Sequence, residues 1–144
     1  MTSKVIAKSI VQNQAGDVLL LRRSKTDTRR PGEWDFPGGG VEEGEEITLG
    51  IAREIREESG LTVPAASVRL VYAATELYAT EMESVTRLLF AAKVETDAVQ
   101  LSFEHDEFKW VDIDTALEEF PHPFYGVGLK YARDNGLLEQ TDAR

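Results

Sequence analysis

The sequence predicts an α/β sandwich in which a mixed β-sheet lies between helices. Three observations predict it. Strand-length apolar runs recur at 4–11, 18–22, 68–79, 86–95 and 108–112, one segment at 47–59 repeats its aliphatic residues at helical period, and two further helical segments follow the last strand. A chain of 144 residues with 42% apolar content fills one core of ordinary size, so a single domain over residues 1–144 is expected.

The first two runs are separated by Asn13-Gln14-Ala15-Gly16-Asp17, a turn-forming group, and read as a β-hairpin. The polar stretch from Ser24 to Glu33 carries Pro31-Gly32 and is expected as an exposed loop. A short strand at Trp34-Asp35-Phe36 follows, ended by Pro37-Gly38-Gly39-Gly40. Ile47, Ile51 and Ile55 then repeat every four residues beside Ala52, and Gly60 is placed to stop the helix at Ser59. Glu45 and Glu46 are expected in its first turn, where carboxylates suit the helix dipole. After Pro64 come the three later strands, then helices at 114–120 and 123–135, the last capped by Asn135-Gly136. Repeats, low-complexity tracts and linkers are absent from the sequence.

Sixteen basic against 26 acidic residues give a formal charge of −10. Stable binding to nucleic acid or to an anionic membrane is therefore not expected, and a polyanionic substrate requires locally placed cations. The charge is segregated: residues 1–38 carry +3, residues 39–61 carry −5 and residues 62–144 carry −8. Arg22, Arg23, Lys25, Arg29 and Arg30 face only Asp27 just before the acidic stretch, a pattern that suits phosphate beside metal as well as two solvated faces. With no cysteine, disulfides, thiolate metal sites and a cysteine nucleophile are excluded. The start of the chain lacks the order of a signal peptide and no apolar run reaches spanning length, so a cytoplasmic location is the expectation.

On a helical wheel the stripe of Ile47, Ile51, Ile55 and Ala52 must pack on the sheet. Glu54, Glu57 and Glu58 fall together in a sector of about 100° at the margin of that stripe, with Gly50 leaving the sector open one turn earlier. Carboxylates at i, i+3 and i+4 repel one another. Either Arg53 and Arg56 neutralise an acidic solvent face, or the three oxygens hold a hard divalent cation, Mg2+ or Mn2+, which takes carboxylates together with substrate phosphates.

The order of the segment Gly39–Leu61 bears on that choice. Gly39, five residues, Glu45, seven residues, Arg53-Glu54-Ile55, one residue, Glu57-Glu58, one residue and Gly60-Leu61 resembles the 23-residue signature of the Nudix hydrolase family at every fixed position. A shuffled chain of this composition matches on the order of once in two million tries. The resemblance implies a Nudix-type α/β/α sandwich and hydrolysis of the pyrophosphate linkage in a nucleoside diphosphate derivative, with Glu54, Glu57 and Glu58 as metal ligands. Bound cations would neutralise charge at the bridging and leaving oxygens and acidify water.

The resemblance also implies supporting roles. Arg53 orients a carboxylate or the preceding loop, and Glu45 closes the loop around the helix start. One more acidic residue outside the signature, Glu104 in preference to Glu107, serves as general base or extra ligand. Arg22, Arg23 and Lys25 on the second strand, with Gly38 and Gly39, are expected near substrate. Trp34, Phe36, Tyr78 and Phe103 are candidates for stacking a base, although an aromatic on a strand is more often core. His105 and His122 are read as structural or exposed. The expected substrate is an ordinary or oxidised (d)NTP. A dinucleoside polyphosphate is the alternative, because Tyr78 lies near where that subgroup carries a tyrosine, and a non-catalytic nucleotide sensor is a third reading. Pairing of two copies as a homodimer is compatible with the sequence.

Overall fold

The computed structural model describes residues 1–120 and 122–140. Seven strands and three α-helices follow in the order β1 (Thr2–Gln12), β2 (Val18–Arg23), β3 (Trp34–Asp35), β4 (Gly38–Gly40), α1 (Ile47–Ser59), β5 (Arg69–Tyr78), β6 (Glu83–Lys93), β7 (His105–Val111), α2 (Ile113–Leu117) and α3 (Pro123–Asp134). The sheet runs β3-β2-β1-β6-β5, with β4 also on β1 and β7 also on β2. β1 and β6 are parallel over the full length of β1, and the other pairs are antiparallel, so the sheet is mixed as expected.

The expected hairpin is present, closed by the turn at 13–17, but short. β1 and β2 meet at a single register pair, Gln12 with Val18, and then diverge. The gap is filled by the segment 34–40. β3 pairs with β2 at Leu21 and Arg22, and β4 pairs with β1 at Ile6, Ala7 and Lys8, so this segment bridges the two strands that the turn had only begun to join. The glycines that were expected to end a strand therefore form one. Gly38 has a φ of 136°, and a Cβ there would lie 2.2 Å from the Ala7 carbonyl oxygen, an approach that only glycine permits.

Strand β2 explains the two cores. Val18 and Leu20 point to one face with Ile10, Phe36, Leu89, Phe124 and Leu129; Leu19 and Leu21 point to the other with Val11, Ile51, Ile55, Leu61 and Phe90. A strand buried on both faces reads as a continuous apolar run, and helices cover both sides of it. α1 has the expected bounds, and Gly60 caps it in the left-handed conformation at φ 75°. Its N-terminus differs from expectation. Glu46 is the N-cap, accepting from the Thr48 and Leu49 N–H groups, and Glu45 lies before the first turn because Arg53 holds it there. Strands β6 and β7 begin three residues earlier than expected, and α2 ends at Leu117.

Candidate active site

Burial of Ile51 and Ile55 under the sheet fixes the rotation of α1, and this rotation carries Glu54 and Glu58 against the glycine strand β4. Glu58 is 4% exposed and accepts from the Gly38 N–H through both oxygens, at 3.1 and 3.2 Å. Burial pushes its carboxyl up to about 8, against the pull of Lys8 and the Gly38 N–H. Glu54 is raised as well, by burial first, with Arg53 opposing and Glu57 adding to it. The charge of Glu104 raises both groups, which places it within electrostatic reach of them.

Glu57 is exposed and turned to Arg53 Nη1 at 3.0 Å. Arg53 also takes Glu45 through a two-point fork, at 2.7 and 2.9 Å, and reaches Glu54 at 3.4 Å and Glu42 at 3.6 Å. The Glu45 hydrogen bonds push the guanidinium up and, in return, hold the Glu45 carboxyl below its ordinary range. The space at Gly50 makes this fork possible. A Cβ there would lie 2.7 Å from Glu45 Oε1. Among the described residues no three carboxylate or imidazole groups are drawn onto one point, since Glu57 is held by Arg53 and Glu58 by Gly38.

On the other side of β4 lies a cleft of about 400 Å³. Lys4, Lys8, Arg23, Arg29, Arg30 and Arg87 line it, together with Gly38, Gly39, Gly40, Glu104, His122 and Tyr125. Six cations around one cavity, in a chain of net charge −10, are the local concentration that a polyanion requires. Asp35 anchors half of them. It is 1% exposed, takes Lys8 at 3.0 Å and both Arg23 and Arg30 at 3.5 Å on one oxygen, and accepts from the Phe36 N–H at 2.8 Å on the other. Burial pulls Lys8 down, but Asp35 and then Glu58 outweigh it and leave the ammonium raised.

The structure brings some of the expected residues to this place and leaves others out. Glu54, Glu58, Arg53, Gly38 and Gly39 stand around β4, and Glu104 lines the cleft. Glu107 instead pairs with Arg22 at 2.9 Å. Arg22 is expended on Asp106 and Glu107 and lies outside the cleft lining, whereas Arg23, on the opposite face of β2, belongs to it. Tyr78, expected near substrate, lies outside the cleft lining and donates to Glu76, the partner of Arg87. Phe36 is core, Phe103 is 90% exposed, and Trp34 carries the Lys109 ammonium 4.2 Å from its ring centre. His105 is buried, and burial pushes its imidazole down to about 4. Sequence reasoning missed Lys4, Lys8, Arg87, His122 and Tyr125; the alternation of Lys4, Ile6 and Lys8 along β1 was the available signal for two of them.

The NUDIX domain model matches residues 3–127. The chain is 41% identical over 105 residues to an octanoyltransferase of Myxococcus xanthus, covering 72% of this chain and 29% of that protein. It is 42% identical over 60 residues to the nucleoside triphosphatase NudI of Escherichia coli, covering 42% of each. The matched segments thus span less than half the length of these two relatives. Among solved structures, a MutT protein from Methanosarcina mazei Go1 superposes with a TM-score of 0.77 at 28% identity, covering 93% of this chain and 96% of that one. Among the described residues no helix is long and apolar enough to cross a membrane. With its signature, its fold and a family match over most of its length in agreement, the chain belongs to the Nudix family.

Proposed function

We propose that the protein is a divalent-cation-dependent pyrophosphohydrolase acting on a nucleoside triphosphate, ordinary or oxidised. One observation carries this reading: a buried carboxylate group and a six-cation cleft stand back to back across a single strand of glycines, Gly38–Gly40. A phosphoanhydride with a dication on one side and free phosphate charge on the other requires both.

The donor set suits a hard dication. Burial first, and neighbouring carboxylates after it, push Glu54 and Glu58 up, and both offer oxygen ligands. Glu57, beside Glu58 on the helix, is held by an exposed ion pair, which is weak and easily exchanged. Glu54, Glu57 and Glu58 would hold Mg2+ or Mn2+, which would supply charge neutralisation at the anhydride and acidify the attacking water.

The chain's own residues do the rest. Arg53 positions Glu57 and Glu54 and ties the Glu45 loop to the helix. Lys8, Arg23 and Arg30, grouped around the buried Asp35, hold phosphate oxygens. Glu104, exposed at the cleft, accepts the proton from water. The NudI likeness supports a triphosphate substrate.

The test is turnover of a (d)NTP panel with Mg2+ and with EDTA, for wild type and Glu57→Gln. Hydrolysis that requires the cation and collapses in the variant is expected; cation-independent hydrolysis, or none with any triphosphate, contradicts the reading.

A further inference from the structure

The cleft has a second ionic centre, apart from the cations around Asp35. Arg87 on β6 is 13% exposed and donates to Glu76 Oε1 at 2.6 Å from the neighbouring strand β5. Tyr78 donates to the other oxygen, Glu76 Oε2, at 3.1 Å and lies within electrostatic reach of Arg87. His122 supports it from the third side. Its Nδ1 accepts the Phe124 N–H at 3.2 Å as the cap of α3, so the ring proton resides on Nε2, which lies 3.1 Å from Glu76 Oε1. The guanidinium is thus fixed in position and orientation by its β5 partner Glu76, which Tyr78 on the same strand and His122 at the cap of α3 hold in turn.

Lys8, Arg23 and Arg30 are grouped around Asp35, with Arg23 also on Asp27 at 2.9 Å and Arg30 also on Glu33 at 3.7 Å. Arg87 stands apart from that group with a carboxylate of its own at 2.6 Å, and because a guanidinium has five N–H donors this pair leaves others for the cleft it lines. Its place also fits. Gly40 pairs with Ile6 and Ile6 with Arg87, so Arg87 stands two strands, about 10 Å, across the sheet from the glycine strand beside the carboxylates. That distance separates a reacting phosphate from the base at the far end of a nucleotide.

We propose that Arg87 is the residue that determines base specificity, reading the paired acceptors O6 and N7 of guanine, with Glu76, Tyr78 and His122 as its positioning residues. Adenine presents an amino donor in place of O6 and leaves one prong of the fork unmatched. The proposal rests on the nucleotide reading above but concerns the opposite end of the cleft.

The experiment compares kcat/KM for GTP, ATP, CTP and UTP in wild type and Arg87→Lys, a variant that keeps the charge and loses the fork. It adds calorimetric Kd values for GTP and ATP in EDTA, where turnover is not required. Wild type is expected to favour GTP over ATP by about 10- to 100-fold, mostly in KM, and Arg87→Lys to collapse that ratio to within about threefold. If no triphosphate is turned over while GTP still binds more tightly than ATP through Arg87, the hydrolase reading fails and the base assignment stands. Equal Kd values for GTP and ATP, a lead for any other base, or an unchanged ratio in Arg87→Lys overturns the assignment whatever the turnover.

Discussion

Arg53 and Asp35 are mirror images across the glycine strand. Arg53 is one cation within 4 Å of four carboxylates, those of Glu42, Glu45, Glu54 and Glu57; Asp35 is one carboxylate within 4 Å of three cations, those of Lys8, Arg23 and Arg30. A fold built for stability alone would mix these charges, since like charges held together cost energy. Here they are sorted to opposite sides of β4, so one side carries a negative excess and the other a positive one. In the proposed function the two sides take ligands of opposite charge, a dication on one and phosphate on the other. The two centres also differ in depth. Asp35 is 1% exposed, while Arg53 and its partners are largely at the surface.

That difference in depth ranks the expected effects of breaking each centre. Asp35→Ala leaves the buried Lys8 ammonium without its carboxylate, and a loss of about 3–5 kcal/mol in denaturant unfolding is expected, the cost of breaking a buried ion pair from one side. A loss below about 1 kcal/mol would mean that the cations rearrange freely and that Asp35 does not organise them. Arg53→Ala is expected to lower kcat about tenfold or more while costing at most about 1 kcal/mol of stability, because its pairs are partly exposed but position the carboxylates. Equal loss in rate and stability would make it a structural residue only.

The pH dependence sharpens the contrast. In the folded protein Glu58 is pushed from 4.5 up to about 8, so the fold binds this proton more tightly than the unfolded chain does. The resulting stability is fully present below pH 4.5 and is lost as pH rises through about 8. In EDTA, wild type is therefore expected to lose Tm relative to Glu58→Gln between these values, and added Mg2+ to restore more at pH 8 than at pH 5.5. A Tm difference that is flat across this window contradicts the buried, protonated state. The smallest effect is expected at Arg22. Its pairs with Asp106 and Glu107 are partly exposed and outside the cleft, so Arg22→Ala changes stability by about 0.5 kcal/mol and KM by less than twofold. A tenfold rise in KM would return Arg22 to the substrate.

The acidic side was legible in the sequence and the basic side was only half legible, for a physical reason. α1 carries its own instructions: Ile47, Ile51 and Ile55 set which face is buried, Gly60 sets the end, and the grouping of Glu54 with Glu58 follows from local helix geometry. The cleft depends on pairings between distant segments. Strand β2 reads Val-Leu-Leu-Leu because both its faces are buried, so the run gives no sign of which of Arg22 and Arg23 continues toward the cleft. Lys4, Lys8 and Arg87 share it only because β6 lies parallel to β1 with Ile6 beside Arg87, a register that no short stretch encodes. The short extent of the β1–β2 hairpin was hidden for the same reason, since the segment that separates the two strands lies more than ten residues further along the chain.

The central claim is that the sorted carboxylates hold a dication against a phosphoanhydride held by the sorted cations. Titration of Mn2+ followed by electron paramagnetic resonance, in wild type and in Glu57→Gln, with and without a nonhydrolysable triphosphate, tests it most directly. The account predicts Mn2+ binding in wild type that tightens at least tenfold with the triphosphate and is weakened at least tenfold in the variant. Mn2+ affinity that is the same in both proteins and indifferent to the triphosphate would contradict it.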